Sequence, residues 1–363
     1  MIFFSGARSR SALPMLLNSE PNFINEIVGD ESPSFSHRWG ALMRIMQVMK
    51  SAFTLMNGVY SDNLRLTGRD ITDYIFGFYD IILIKDHPAF SFPYLTPPNT
   101  FYLGASLLED FPVNPLPDIY QKFISNCPHE HIIFMSFGTY LEDITKFPKT
   151  KEILDSFKDM KMCIILKNAE NIGGQFGLRS NQLLQQTWLP QKSLLSSGKV
   201  NFFISHCGNN GRLESIYYNV PLLCIPLFGD QYHNARLVAR NNFGLYITRE
   251  DLNTASFVKA VNVMITNEAA FKLNLKEAME IARNDPGAGK KVLKFYSDLL
   301  INRGSADFLS NKIITKQWYY EILNLDIAGL LLLVTFTVVL MLALCICKCL
   351  KCLFTKGMKM KPE

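Results

Sequence analysis

The residues with the clearest capacity for chemistry form the stretch Ser205 to Gly211, which reads SHCGNNG and is followed by Glu214. It comes directly after a short apolar run, so we predict that it joins a buried strand to a helix. Glycines at such a turn let the backbone approach a ligand closely, and the unpaired N–H groups that start a helix favour an anion. His206 can donate a hydrogen bond to the same anion. The pattern indicates a phosphate site, while an ordinary Asn/Gly turn before a helix has the same composition.

Two flanking stretches offer groups that suit a nucleotide and a sugar. Upstream, Trp188 could stack on a base, and Gln191 offers both a donor and an acceptor to the base edge. Downstream, Asp230 and Gln231 follow an apolar run and could hydrogen-bond sugar hydroxyls. Each also has an ordinary explanation, since a tryptophan commonly packs in a core and an aspartate commonly caps a helix. Their order along the chain favours a nucleotide-sugar site.

The elements that must position these residues alternate regularly after residue 120. Short apolar runs predict strands over residues 132–136, 162–167, 201–205, 221–226 and 244–247. The stretches between and after them predict helices over 149–158, 214–218, 233–241, 254–267 and 269–284. All-apolar strands that alternate with helices are typical of an α/β fold, in which helices cover both faces of a parallel sheet. Such sheets bind ligands beyond the carboxyl ends of their strands.

The first third of the chain has a weaker pattern. Apolar residues at helical spacing predict a helix over 35–57, and a short apolar run predicts a strand over 79–84. Residues 90–99 are rich in proline and aromatic side chains and are predicted to form a loop. Three prolines within 111–117 indicate a linker to the regular region that follows.

The C-terminal part predicts a membrane anchor. Residues 327–347 carry no charge, and a run of about 20 apolar residues suffices to cross a bilayer core of about 30 Å. Aromatic residues precede the run and lysines follow it, so the positive-inside rule predicts a cytosolic tail and a lumenal remainder. The alternative is a buried helix of a soluble protein. Lys359 and Lys361 resemble the dilysine signal that retrieves membrane proteins to the endoplasmic reticulum.

Charge and cysteine usage limit the remaining classes of function. The net charge is +5, and much of the excess lies in the C-terminal tail, so no nucleic-acid partner is indicated. Four of the eight cysteines crowd the end of the apolar run without the turns that a zinc site needs, and they indicate lipidation or plain membrane-helix residues. The others are interpreted as small buried apolar residues rather than a disulfide framework: Cys127, Cys163, Cys207 and Cys224.

Together, these spaced residues resemble the signature of the UDP-glycosyltransferase family, which includes the UDP-glucuronosyltransferases. The family pattern W-x-x-Q, Ser/Thr-His, G-x-N-G-x-x-E, P-x-x-x-x-P and D-Q occurs in order from Trp188 to Gln231. The stretch 136–139 resembles the family's S-x-G-S turn, and the resemblance runs from about residue 20 to the C-terminus. Two residues depart from the pattern, because Cys207 replaces a usual glycine and Phe202 is larger than the usual residue.

The resemblance implies a GT-B-like fold with a complete C-terminal and a partial N-terminal Rossmann-like domain, followed by a single transmembrane helix. The implied divisions are an acceptor-binding remnant (1–110), a linker (111–120), a UDP-sugar-binding domain (121–300), a return and membrane-proximal segment (301–326), the transmembrane helix (327–347) and a basic cytosolic tail (348–363).

The resemblance also implies a role for each site residue. Trp188 would stack on uracil, Gln191 would bind its edge and Glu214 would bind the ribose. The diphosphate would lie at the turn after the third predicted strand, where backbone amides and a helix dipole supply the positive field without a lysine or a metal. Asp230 and Gln231 would hold the sugar. The implied donor-binding set is Gly138, Thr139, Trp188, Gln191, His206, Gly208, Asn210, Gly211, Glu214, Asp230 and Gln231.

The implied reaction transfers a glucuronosyl or glucosyl group from UDP-sugar to a small lipophilic acceptor hydroxyl with inversion, without a cofactor. A single-pass type I protein of the endoplasmic reticulum would perform it, with possible homo- or hetero-oligomers. The family's catalytic base lies early in the N-terminal domain, and neither His37 nor His87 lies in a matching motif. No catalytic residue is therefore assigned, and an N-terminally truncated chain is expected. The alternative is a catalytically silent nucleotide-binding membrane partner that modulates intact transferases. A dehydrogenase is disfavoured because G-x-G-x-x-G is lacking after the first predicted strand.

Overall fold

The computed structural model describes residues 2–4, 81–91, 100–104, 108–109, 112–138, 141, 143–158, 160–169, 172, 177–228, 230–304 and 325–357. The chain divides into two compact units, Met1–Ala306 and Asp307–Glu363. The helix predicted over 35–57, most of the loop predicted over 90–99, and Thr139 lie outside the described residues. The finer domain boundaries at residues 110, 120 and 300 remain predictions.

The described strands of the first unit form two sheets. In chain order the strands are β1 (Ile2–Phe4), β2 (Ile81–Ile84), β3 (Thr100–Tyr102), β4 (His131–Ser136), β5 (Met162–Lys167), β6 (Leu183–Gln186), β7 (Phe202–Ser205), β8 (Leu222–Cys224) and β9 (Gly244–Tyr246). In the small sheet, β2 pairs antiparallel with β1 and parallel with β3. In the large sheet, β6-β5-β4-β7-β8-β9 lie side by side and all pair in parallel.

Helices cover both faces of the large sheet. They are α1 (Asp118–Ser125), α2 (Thr150–Ser156), α3 (Gln191–Ser196), α4 (Asn209–Tyr217), α5 (Gln231–Arg240), α6 (Thr254–Thr266), α7 (Glu268–Asn284) and α8 (Lys290–Arg303). Along β4, Ile132 and Phe134 pack into one apolar core with α4 and α5, while Ile133 and Met135 pack into the other with α2 and α6. Burial on both faces explains why the strands are apolar throughout instead of alternating.

The α/β parallel sheet and the five strands predicted for it are confirmed, with small shifts at their ends. The sequence prediction missed β6, whose four residues read LLQQ and are mostly half-buried. β6 lies at the edge of the sheet, so it lacks the continuous apolar run that marked the central strands. The prediction also missed β1, β3, α1, α3 and α8.

The described residues of the second unit form a long helix, α9 (Leu325–Gly357). Within it, Ile327–Lys348 has a mean hydropathy of 3.0, and its side chains are exposed. By length and composition this segment could cross a membrane. The predicted helix is therefore present, and its insertion and orientation remain predictions.

The four scattered cysteines form two disulfides, Cys127–Cys163 and Cys207–Cys224. Their interpretation as separate apolar residues is therefore wrong, although all except the half-buried Cys127 are fully buried. Cys224 ends β8, and Cys207 follows the neighbouring strand β7. Strand order brings these two together, and spacing along the sequence does not reveal strand order. Disulfides are typical of oxidising compartments such as the lumen of the endoplasmic reticulum.

Candidate functional site

A cleft of about 700 Å³ opens at the carboxyl ends of β4 and β7. If β4 is counted as strand 1, the sheet order is 3-2-1-4-5-6, so the strand order reverses between β4 and β7. The turns that leave these two strands diverge to opposite faces, which leaves a crevice between them. Phe134 and Phe203, whose rings stack with centroids 4.5 Å apart, contribute to its lining. The position of the cleft is thus a direct consequence of the sheet topology.

Most of the predicted donor-binding residues line this cleft: Gly138, Trp188, Gln191, His206, Gly208, Asn210, Gly211 and Glu214. They come from three segments, namely the turn after β4, the start of α3, and the turn and helix after β7. Asp230 and Gln231 do not line it. Among the predicted residues that the structure describes, the fold therefore brings together all except Asp230 and Gln231, the pair proposed for the sugar.

The ring of His206 lies between two glycines. A Cβ atom on Gly138 would come within 2.7 Å of His206 Cε1, and a Cβ atom on Gly208 would come within 2.6 Å of its Nε2. Real Cβ atoms do not approach other atoms this closely, so both positions must lack a side chain unless the ring moves. Gly138 also has a φ of +78°, which favours glycine. The two glycine-containing turns thus accommodate the imidazole at the centre of the cleft.

Burial lowers the pKa of His206 below its usual value, and the nearby charge of Lys167 lowers it further. The charge of Asp230 and a hydrogen bond with the backbone of Ser136 act in the opposite direction. The imidazole is therefore neutral at pH 7. Its Nδ1 atom is buried without a hydrogen-bond partner within the part of the chain that the structure describes. His206 therefore lines the cleft with an uncharged ring.

Gln191 and Glu214, which also line the cleft, contact each other. Gln191 Nε2 donates to Glu214 Oε2 over 2.7 Å, which joins the first residue of α3 to the second turn of α4. Trp188, just before α3, is 72% exposed. Its backbone oxygen accepts a hydrogen bond from the Tyr120 hydroxyl over 3.5 Å, and its indole remains available to solvent. Core packing is therefore excluded as the role of Trp188, and a planar ligand can stack on it.

The turn between β8 and α5 places Asp230 and Gln231 differently from each other. Gln231 is 4% exposed, and its Oε1 accepts hydrogen bonds from the backbone N–H groups of Leu227 and Phe228. Asp230 is exposed and accepts a hydrogen bond from Asn234 Nδ2 over 3.0 Å. Its side chain does not cap the backbone of α5. In this structure Gln231 closes the turn, while Asp230 remains accessible and close enough to raise the pKa of His206.

The two departures from the family pattern are accommodated by the cores. Cys207 is fully buried in the core beside α4, where its sulfur bonds to Cys224 instead of lining the cleft. Its φ is +64°, the left-handed conformation that a glycine at this position would adopt without strain. Phe202 is fully buried in the opposite core. Neither side chain obstructs the cleft.

Sequence reasoning missed two lysines at the cleft. Lys167, the last residue of β5, lines the cleft and donates from Nζ to the carbonyl oxygen of Gly138 over 2.8 Å. Lys192 also lines it, in the first turn of α3. Two lysine side chains thus lie at the cleft beside the backbone amides and the helix dipole that the sequence predicts. The signal was a cation at the carboxyl end of a predicted apolar strand, where α/β sheets bind ligands.

His87 has a structural role in the fold and does not line the cleft. It is 3% exposed, and its Nε2 lies 2.9 Å from Asp285 Oδ2. Its Nδ1 accepts a hydrogen bond from the N–H of Ala89 over 3.1 Å. The Gly287 N–H and then the His87 side chain hold the pKa of Asp285 below its usual range. Both ring nitrogens of His87 are thus occupied within the protein.

The amino-acid sequence is similar to those of known proteins. The sequence matches the protein family described as "UDP-glucoronosyl and UDP-glucosyl transferase" over residues 41–361. UDP-glucuronosyltransferase 2B7 of Homo sapiens is 27% identical over 288 residues, which are 78% of this chain and 52% of the relative. UDP-glucosyltransferase 2 of Dactylopius coccus is 26% identical over 283 residues, which are 77% of this chain and 53% of the relative. This chain thus spans about half the length of these curated relatives.

Two solved structures have a lower similarity. The glycosyltransferase VinC in complex with dTDP is 19% identical, with a TM-score of 0.45 over 56% of this chain and 48% of that chain. The glycosyltransferase of kitacinnamycin is 16% identical, with a TM-score of 0.47 over 67% of this chain and 62% of that chain. The family match, in contrast, covers the greater part of the sequence and includes every segment of the cleft. The chain belongs to the UDP-glucuronosyl and UDP-glucosyl transferase family.

Proposed function

We propose that this chain provides the donor-binding part of a membrane-anchored transferase, which moves a glucuronosyl or glucosyl group from UDP-sugar to a hydroxyl of a small lipophilic acceptor. The observation that carries the proposal is the cleft where the strand order of the sheet reverses. There an exposed tryptophan, a Gln–Glu pair and a neutral histidine lie around the first turn of α4. These groups suit a base, a ribose and a diphosphate.

The proposed binding mode assigns one chemical task to each group. The indole of Trp188 stacks on uracil, while Gln191 and Glu214 bind the base edge and the ribose hydroxyls. The first turn of α4 directs unpaired N–H groups at the diphosphate, and Gly211 permits close approach. His206 contacts the same diphosphate with its uncharged ring. Asp230, which is exposed beside His206, is the better candidate of its pair for a sugar hydroxyl.

The proposed chemistry is a displacement at the anomeric carbon. The acceptor oxygen forms a bond to that carbon as the bond to the UDP oxygen breaks, which inverts the configuration. A general base takes the proton of the acceptor hydroxyl, and the diphosphate leaves with the electron pair. The N-terminal end of α4 carries partial positive charge, which stabilises the charge that develops on the leaving diphosphate. Without a cation beside the departing phosphate oxygens, this charge would be less well stabilised.

The proposed location is the membrane of the endoplasmic reticulum, with the donor cleft in the lumen and the tail in the cytosol. The apolar segment Ile327–Lys348 supports the anchor, and the lysines after it support the orientation. The two disulfides agree with an oxidising compartment for the first unit. A protease-protection assay on microsomes tests this: an epitope after residue 357 should be digested while the first unit is protected. Protection of the epitope would refute the orientation.

Binding and turnover test the function separately. The full chain, purified in detergent, should bind UDP and UDP-sugars but not NAD in isothermal titration calorimetry. Incubation with UDP-glucuronate or UDP-glucose and a phenol then shows whether a glycoside forms. Absence of UDP binding would refute the donor site. UDP binding without turnover, followed by product when an intact relative is added, would favour the silent modulating partner instead.

A further inference from the structure

Residues 85–91, which directly follow β2, lie against the first turn of α4. The shortest contact between the two segments is an ion pair, in which Arg212 Nη2 donates to Asp86 Oδ2 over 2.6 Å. Arg212 Nη1 also donates to the carbonyl oxygen of Phe90 over 2.8 Å. More than 120 residues of sequence separate these partners. The N-terminal part of the chain is thus attached to the helix that begins at the cleft.

The burial of Arg212 makes this attachment specific. Its side chain has no exposed surface, and a buried guanidinium requires a counter-charge and full hydrogen bonding. Asp86 supplies the counter-charge, and Asn209 Oδ1 accepts from Nη2 over 2.8 Å and from Nε over 3.3 Å. The same guanidinium therefore holds both residues 85–91 and the first residue of α4. A shift of residues 85–91 would deprive the buried guanidinium of its counter-charge and of one carbonyl acceptor.

This arrangement brings the ammonium of Lys85, which does not itself line the cleft, to the start of α4. Lys85 Nζ donates to Asn210 Oδ1 over 2.9 Å, and Asn210 lines the cleft at the start of α4. A cation there is electrostatically unfavourable, because the N-terminal end of a helix already carries partial positive charge. Among the described residues no carboxylate pairs with this ammonium. An anion that lies between the lysine and the helix would make the placement favourable.

We propose that Lys85 is a diphosphate-binding residue, which the Asp86–Arg212 pair positions at the start of α4. The inference rests on the proposed donor function. It deepens that function, because it makes the donor site dependent on a residue from the N-terminal part of the chain. The ammonium bonds to a phosphate oxygen while Asn210 and the N–H groups of α4 approach the diphosphate from the other side. Lys85 then offsets the charge of UDP both in the substrate and as the leaving group.

Comparison of UDP with uridine tests the role of Lys85, because uridine lacks the diphosphate. Affinities of the full chain in detergent are measured by calorimetry for the wild type, Lys85→Gln and the control Lys276→Gln, which changes an exposed lysine on α7 outside the cleft. Loss of one charge-assisted hydrogen bond should weaken UDP binding about tenfold or more. Uridine binding should stay unchanged, and the loss should shrink at high salt.

Each outcome has a distinct meaning. If the wild type binds UDP and Lys85→Gln binds it equally well, the role of Lys85 is refuted while the donor function stands. If Lys85→Gln weakens UDP and uridine alike, a general disturbance of the cleft replaces the proposed contact. If the wild type binds neither ligand, the proposed function itself fails.

A second variant tests the positioning step. Asp86→Asn removes the counter-charge of Arg212 and should weaken UDP binding through displacement of Lys85. In the Lys85→Gln background the same change should then have little further effect on UDP affinity. Uridine affinity and the thermal midpoint monitor the fold in both backgrounds. Independent, multiplying effects of the two substitutions on UDP affinity would refute the positioning role of the ion pair.

Discussion

Replacement of Gly208 by alanine adds one methyl group where the ring of His206 passes closest to the main chain. Gly208 has φ −61° and ψ 147°, a conformation that alanine adopts without strain. The added Cβ, however, would lie 2.6 Å from His206 Nε2 and 3.3 Å from two carbons of the ring. The ring or the turn must therefore move. Forced movement in a packed site typically costs about 1–3 kcal/mol of unfolding free energy.

Gly211, three residues further on, provides a matched comparison. It lies within α4, and a Cβ there would meet its nearest neighbours at 3.6 Å and 3.8 Å, which are ordinary contacts. Alanine is favoured over glycine in a helix by about 1 kcal/mol. Gly211→Ala should therefore stabilise the chain slightly, while Gly208→Ala should destabilise it. The same substitution on one turn is expected to have effects of opposite sign.

Urea unfolding of the full chain in detergent, followed by circular dichroism, measures both changes. His206→Ala supplies the decisive control, because it removes the ring with which the new methyl group collides. Most of the cost of Gly208→Ala should disappear in the His206→Ala background. A Gly208→Ala variant as stable as the wild type would refute the packing of the ring between the glycines. An equal loss in both backgrounds would show that the strain lies elsewhere.

Three further predictions concern other parts of the first unit. Because Trp188 is 72% exposed, Trp188→Ala should leave the thermal midpoint unchanged but weaken UDP binding by about tenfold, since loss of base stacking costs about 1–3 kcal/mol. The control Trp188→Phe should retain most of the affinity. A lowered thermal midpoint of Trp188→Ala would contradict the surface placement of the indole. The pKa of His206 is lowered in the folded chain, so below about pH 6.5 the unfolded chain binds more protons at this residue, and the free energy of unfolding should fall as the pH drops through this region. His206→Asn should weaken this pH dependence. An unchanged pH profile in the variant would show that His206 is not the cause. Joint replacement of Cys127 and Cys163 by alanine opens a loop with a sequence separation of 36 and should cost about 4 kcal/mol of unfolding free energy. Joint replacement of Cys345 and Cys347, which are free and exposed, is the control and should leave the stability of the first unit unchanged.

The sequence was sufficient for the central strands because burial on both faces demands apolar side chains at every position. β4 and β7 show this pattern clearly, and the turns after them carry the glycines that His206 needs. β6 escaped detection because an edge strand tolerates polar residues such as Gln185 and Gln186. The strand order, which determines where the cleft lies, depends on pairing between distant segments. Local periodicity contains no information about such pairing.

The candidate site also contains residues that the sequence predicts and one that it does not. Trp188, Gln191 and Glu214 were predictable as a group because the family resemblance links them, and all three line the cleft. Lys85 was not predictable, since its approach to Asn210 depends on the buried ion pair between Asp86 and Arg212. In sequence, an arginine inside a helix-start motif looks like an exposed polar residue. Its complete burial becomes evident only when the N-terminal segment is in place.

The pairing of β4 with β7 also affects how the protein acquires its fold. Ile133 pairs with Phe202 and Ser136 with Ser205, so β5 and β6 must be synthesised before the two strands that border the cleft can pair. Contacts between residues so distant in sequence form slowly, because a long segment must be ordered before they are gained. A nucleotide that binds this cleft selects chains that have completed the crossover and stabilises them by mass action. UDP should therefore increase the yield of refolded protein in proportion to its occupancy, as a ligand that assists the final step of folding.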